Sequence, residues 1–106
     1  QETLDFNSIL NGKNVFALTV NGDSMIDSCI ADGDQVLMEQ VRDPSSLKNG
    51  TVVSAMVPGA GTTLKHFYRE GSLVRLEAAN AAYEPIELNA EEVQIQGKLV
   101  AVWRKA

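Results

Sequence analysis

With 106 residues, 44% of them hydrophobic and 22% charged, the chain is sized for one soluble domain around one core. Nine Lys and Arg against fourteen Asp and Glu leave a net charge of −5, which argues against direct DNA binding, because phosphate-binding surfaces carry a positive excess. No apolar run approaches the roughly 18 residues of a membrane span, and Gln1-Glu-Thr-Leu-Asp-Phe6 lacks the basic start and apolar stretch of a signal peptide.

The periodicity along the chain is that of strands separated by short turn signals. Val15-Phe-Ala-Leu-Thr-Val20 reads as a strand running into the turn dipeptide Asn21-Gly22. After Asp23-Ser24, residues 25–30 are one of two stretches able to form a helical turn, with Asp23 or Ser24 as its cap. Gln35-Val-Leu-Met-Glu-Gln40 follows the turn Asp32-Gly33-Asp34, and residues 44–47 form the second short helical candidate. Thr51-Val-Val-Ser-Ala-Met-Val57 and Thr63-Leu-Lys-His-Phe-Tyr-Arg69 flank Pro58-Gly-Ala-Gly61, the pattern of a hairpin. Ser72-Leu-Val-Arg-Leu-Glu-Ala78 and Ile86-Glu-Leu88 are further strands, and residues 93–103 form the longest, interrupted at Gly97-Lys98. No repeat, low-complexity tract or linker divides the chain, so residues 1–106 are expected to be a single domain, all-β or β-dominated, with a curled sheet. The missing initiator Met leads to the expectation of a fragment or processed product. The single cysteine excludes an intrachain disulfide and fits a reducing cytoplasm.

The densest stretch for chemistry is Val20-Asn-Gly-Asp-Ser-Met-Ile-Asp-Ser-Cys-Ile-Ala-Asp-Gly-Asp34. Ser24 follows a strand, a glycine and an aspartate, which presents its hydroxyl at an exposed elbow. The same elbow leaves backbone N–H groups at the start of a helical turn unpaired, and such donors can stabilise an oxyanion. A serine needs a base. His66, the only histidine, falls on the opposite face of its strand from Thr63, Lys65 and Phe67. Lysine serves as a base when burial lowers its pKa, because desolvation disfavours the ammonium. From the residues alone, pairing Ser24 with Lys65 is one option among several, since serines after Gly-Asp are common in turns and strand lysines are usually solvated.

Gly22-Asp-Ser-Met-Ile-Asp27, Ile30-Ala-Asp-Gly-Asp34, Asn49-Gly-Thr-Val-Val53 and Thr63-Leu-Lys65 occur in an order and spacing that resembles the LexA and UmuD family of self-cleaving proteins. Asn80-Ala-Ala-Tyr-Glu-Pro-Ile86 resembles a later segment of that family, and Ile95-Gln-Gly-Lys-Leu-Val-Ala-Val-Trp103 its closing strands. The resemblance implies the curled β-sheets of the LexA and signal-peptidase-like fold. It makes Ser24 the nucleophile and Lys65 the neutral general base, with the backbone N–H groups of Ser24 and Met25 in the oxyanion hole and Thr63 supporting the amine. No cofactor or metal is implied. The implied protein is an SOS-response transcriptional repressor that cuts an Ala-Gly or Cys-Gly bond in its own linker. Its implied partners are a RecA filament on single-stranded DNA, a second copy joined through the C-terminal strand, and operator DNA reached through an N-terminal domain outside this chain. A UmuD-type polymerase subunit and a non-cleaving dimerisation module are the alternatives. No Ala-Gly or Cys-Gly precedes Ser24, and Ala60-Gly61 lies in the hairpin beside Lys65.

Other residues have plainer readings. Before Gly33, the positions where a calcium loop needs acids hold Ser28, Ile30 and Asp32, so that pattern fails. Asp32-Gly33-Asp34 reads as a turn that shapes the site and Asp27 as a local cap. Cys29 reads as a small buried hydrophobe, and His66 as structural or at the surface. Met25 is expected to pack under the cleft. Trp103 is expected at an interface, reached if the last strand forms an exposed sheet edge.

Overall fold

The structure, a computed structural model, describes residues 14–104; the N-terminal segment read above for a signal peptide lies outside them. All seven expected strands form: β1 (Val15–Thr19), β2 (Gln35–Gln40), β3 (Val52–Val57), β4 (Gly61–Glu70), β5 (Leu73–Glu77), β6 (Ile86–Asn89) and β7 (Gln94–Trp103). Short 3-10 turns follow at Ile26–Ser28 and Pro44–Ser46, where helical turns were expected, and a third forms at Ala90–Glu92. That third turn is held by a capping box, in which the Asn89 N–H donates to Glu92 Oε1 at 3.1 Å. The β3–β4 hairpin closes where expected, with Val57 opposite Gly61.

The strands form one sheet in the order β1-β2-β7-β3-β4-β5-β6, with every neighbouring pair antiparallel. The last strand therefore lies inside the sheet and not at its edge. Its first half, up to Lys98, is paired with β3, and its second half, from Gly97 to Trp103, with β2, so residues 99–103 have a strand neighbour on one side only among the described residues. The expected interruption at Gly97-Lys98 is a pair of bulges. Leu37 faces Ala101 and Met38 faces Leu99, leaving Val100 over; Ser54 faces Gly97 and Ala55 faces Ile95, leaving Gln96 over. Trp103 is 39% exposed at the end of this strand.

Consecutive residues Val52 and Val53 go to different apolar clusters, so the sheet buries both faces. One cluster joins Val53, Ala55 and Val57 to Phe67, Val74, Leu76 and Ile95. The other joins Met25, Ile30, Val36 and Met38, with Phe16, Leu18, Val52, Leu64 and Leu99 packed around them. Met25 and Ile30 come from the turn that carries Ser24, so that turn is the lid of the second cluster. The Phe16 ring, from the strand on the far side of β2, lies over Gly97, where an added Cβ would lie 2.7 Å from Phe16 Cζ and 3.0 Å from the Glu39 carbonyl oxygen. Gly97→Ala should consequently destabilise the domain by about 1–3 kcal/mol, the range for an overpacked site; chemical denaturation that showed no loss would contradict this packing.

Candidate active site

Ser24 and Lys65 are brought together from positions 41 residues apart, with Lys65 Nζ 3.1 Å from Ser24 Oγ. The backbone pattern of β4 explains how. Phe67 donates to the Thr51 carbonyl and accepts from the Gly50 N–H, so its backbone groups face the β3 side. By alternation those of Thr63 and Lys65 face β3 too, and those of Thr62 and Leu64 face outward. Pairing with β5 begins only at His66, which leaves the outward edge of β4 before His66 without a strand neighbour. Lys65 Nζ lies at that open edge, 3.2 Å from the Leu64 carbonyl and 2.5 Å from Thr63 Oγ1. The residue is only 8% exposed, and no carboxylate among the described residues pairs with it. Burial holds its ammonium below the ordinary lysine range.

A neutral amine has two hydrogens and one lone pair. With the Leu64 carbonyl and Thr63 Oγ1 accepting the two hydrogens, the lone pair is left to face the Ser24 hydroxyl. A charged lysine would spend all three hydrogens on the same three oxygens. The contact set therefore suits both protonation states, which a base that gains and returns a proton requires.

The Ser24 turn is built from backbone and packing, not from a side-chain cap. Met25, not Asp23 or Ser24, stands at the N-cap of the 3-10 turn, and no side chain caps it. The expected capping role of Asp27 is likewise absent; its N–H donates to the Ala79 carbonyl at 2.7 Å. The Ser24 and Met25 N–H groups have no acceptor among the described residues. Met25 is 1% exposed, packed under the cleft. Cys29 differs from its reading as a buried hydrophobe: it is exposed, in the left-handed conformation at φ 63 that ends the turn. The Asp-Gly-Asp turn does shape the site. Asp32 Oδ1 accepts from the Gly22 N–H at 2.7 Å, and buried Asp34 accepts from the Ala31 N–H at 2.8 Å and from Arg104 at 2.9 Å.

His66 is committed elsewhere. Its Nδ1 donates to the Gly50 carbonyl, and its Nε2 meets the Ser28 hydroxyl, both at 2.9 Å. A cleft of about 240 Å³ beside Ser24 is lined by residues 18–21, Ser24, Met25, Val36 and residues 62–64. Contacts that reading the sequence did not supply come from Asn80 and Tyr83, which both reach Asp23. The Asn-x-x-Tyr segment was visible as a motif, but its partner lies 57 residues away.

Residues 1–100 match the family described as Peptidase S24-like. The chain belongs to this family. Membership implies a self-cleaving serine protease. Among curated relatives, it is 43% identical to the LexA repressor of Koribacter versatilis over 98% of this chain and 48% of that protein. It is 48% identical to the LexA repressor of Roseiflexus sp. over 87% of this chain and 41% of the relative. It is 34% identical to the transcription regulator LexA of Synechocystis sp. over 97% of this chain and 51% of the relative. The chain thus spans about half the length of the curated relatives it matches, and over that span it is LexA-like.

A family lysine held out of water should weigh on stability. Its native pKa lies below its unfolded value, so the native state holds fewer protons in the window between the two, and stability rises with pH there. Below that window the full cost of burying the charge is present. Lys65→Met should raise the melting temperature near pH 7, and the advantage should shrink as pH approaches the roughly 10.4 of free lysine. Thermal unfolding at both pH values checks this; a variant less stable at neutral pH would contradict it.

Proposed function

We propose that this S24-family domain is the self-cleaving serine protease part of a LexA-type transcriptional repressor, with Ser24 as nucleophile and Lys65 as general base. The observation that carries the reading is the 3.1 Å approach of a buried lysine amine, without a counter-ion among the described residues, to a serine hydroxyl. In the proposed reaction, Lys65 Nζ takes the proton from Ser24 Oγ as Oγ attacks a peptide carbonyl. The developing oxyanion is received by the Ser24 and Met25 N–H groups. As the tetrahedral intermediate collapses, the peptide C–N bond breaks and the Lys65 ammonium returns the proton to the leaving nitrogen, leaving an acyl-enzyme on Ser24. The same amine then takes a proton from water as it attacks the ester; when this second intermediate collapses, the acyl C–Oγ bond breaks and the Lys65 ammonium returns the proton to Ser24 Oγ, releasing the new carboxyl end. Thr63 Oγ1 holds the amine in position throughout.

The substrate fitting this reading is an extended segment of the protein's own chain containing Ala-Gly or Cys-Gly. The outward backbone groups of Thr62 and the apolar walls supplied by Leu18, Val20 and Leu64 suit such a strand. The repressor relatives favour this role over a polymerase subunit. The same reading places the protein in the cytoplasm, assigns stimulation to a RecA filament on single-stranded DNA, and gives operator binding to a separate domain, consistent with the charge of −5 here. It also includes a homodimer formed through the C-terminal strand, where Trp103 is exposed and residues 99–103 pair with β2 alone.

Ser24→Ala and Lys65→Ala should each abolish self-cleavage in the full-length protein while the domain stays folded. A Ser24→Ala protein that still cut itself would sink the assignment. Because Lys65 must be neutral to act and its pKa is lowered by burial, unstimulated cleavage should rise with pH through one ionisation below about 10.4. A rate following a midpoint near about 6.5 would transfer the role to His66.

A further inference from the structure

The Asp23–Ser24 peptide group is gripped from the far side of the site. Asn80, in the loop after β5, donates from Nδ2 to the Asp23 carbonyl oxygen at 2.9 Å. In a trans peptide the C=O and the following N–H point in opposite directions, so a donor that fixes the Asp23 carbonyl also fixes the Ser24 N–H. That N–H points away from the Asn80 loop. The cleft lies on that side, since its lining comes from β1, β2, β4 and residues 20–25, and from none of residues 78–85.

The Asn80 amide has no freedom to do otherwise. Its Oδ1 accepts from the Ala82 N–H at 2.9 Å, so the NH₂ end must be the one turned to Asp23. Two more contacts from the same loop close the grip. Tyr83 Oη donates to Asp23 Oδ1 at 2.5 Å, and the Ala79 carbonyl receives the Asp27 N–H at 2.7 Å. The Asp23 carboxylate holds the Tyr83 phenol above its ordinary pKa, first as hydrogen-bond acceptor and then through its charge. The loop therefore holds the turn at Asp23 and Asp27, on either side of Ser24 and Met25.

We infer that Asn80 is a positioning residue for the oxyanion hole: by holding the Asp23 carbonyl it aims the Ser24 N–H into the cleft, with Tyr83 steadying the Asp23 side chain. The inference rests on Ser24 being the nucleophile of the proposed reaction.

Asn80→Asp is the diagnostic change. A carboxylate still accepts from the Ala82 N–H, so the loop keeps its shape, but it offers no hydrogen to the Asp23 carbonyl. Self-cleavage of the full-length protein is followed against pH for the parent, Asn80→Asp, Asn80→Ala, Tyr83→Phe and Ser24→Ala, with melting temperatures for each. The expected plateau rate falls by about 10- to 100-fold in both Asn80 variants, somewhat short of the roughly 10²–10³ for outright loss of an oxyanion donor. Tyr83→Phe falls less. The midpoint of the Asn80→Ala profile stays with the parent's, because the amine of Lys65 keeps its Thr63 and Leu64 contacts. Asn80→Asp at the parent rate would show that Asn80 only shapes its own turn, and would overturn the inference. Asn80→Ala at the parent rate, or with a displaced midpoint, would overturn it too. Ser24→Ala separates the two levels: if it still cleaves, the underlying reaction is misassigned, and if it is inert while the Asn80 variants cut normally, only the positioning role fails.

Discussion

The site depends on keeping a lysine amine both out of water and away from any carboxylate. A neighbouring acid within salt-bridge reach would stabilise the ammonium and raise its pKa, cancelling the effect of burial. That is demanding here, because the loop around Ser24 carries Asp23, Asp27, Asp32 and Asp34. Three of these carboxylates have partners of their own: Asp23 receives Tyr83 Oη, Asp32 the Gly22 N–H, and Asp34 the Ala31 N–H together with Arg104. Asp27 is exposed. The acids thus brace the loop through hydrogen bonds that leave the amine alone. Lys65 is left with neutral oxygens only, from Ser24, Thr63 and Leu64.

The nucleophile is placed by burial as much as by hydrogen bonds. Met25 and Ile30, at 1% and 2% exposure, close the second apolar cluster, so displacing Ser24 would mean withdrawing two large side chains from the core. Burying each such side chain is worth about 1.5–3 kcal/mol. The turn between them must reverse within five residues, and the left-handed Cys29 allows the Ile30 N–H to return to the Met25 carbonyl at 3.3 Å. A non-glycine residue in that conformation carries strain of order 1 kcal/mol. Packing of Met25 and Ile30 outweighs it.

The fold was largely legible because each strand has a local signature. Residues 35–40 and 86–88 alternate or run apolar between turn signals, and the observed strands match these readings to within about two residues. The order of strands was not legible. Nothing local in residues 93–103 says whether that run lies between two strands or at an edge, and an apolar strand fits both places. The dyad was legible only through the resemblance: alternation placed Lys65 opposite His66, but the open edge of β4 that lets the amine reach Ser24 is a property of where β5 begins. Cys29 was misread because composition favours burial for cysteine, whereas its position at the end of a tight turn exposes it. The third 3-10 turn at Ala90–Glu92 was missed although Asn89 and Glu92 carry the spacing of a capping box.

Placing β7 between β2 and β3 has a consequence for how the site is assembled. Strands adjacent in sequence, β2 and β3, share no ladder, and the hydrogen-bonded connection between them runs through the strand made last. Such long-range pairing closes large loops before any contact compensates for the lost chain entropy. The Ser24 turn and Lys65 lie on opposite sides of this junction, one packed on β2 and the other carried by β4, beside β3. Arg104, immediately after β7, then ties the end of that strand to the nucleophile loop through the Cys29 carbonyl at 2.8 Å and Asp34 at 2.9 Å. Seating β7 therefore helps to bring Ser24 and Lys65 into register. Isolated segments containing either residue would hold the chemical groups without the geometry, and the reactive pair is a property of the completed sheet.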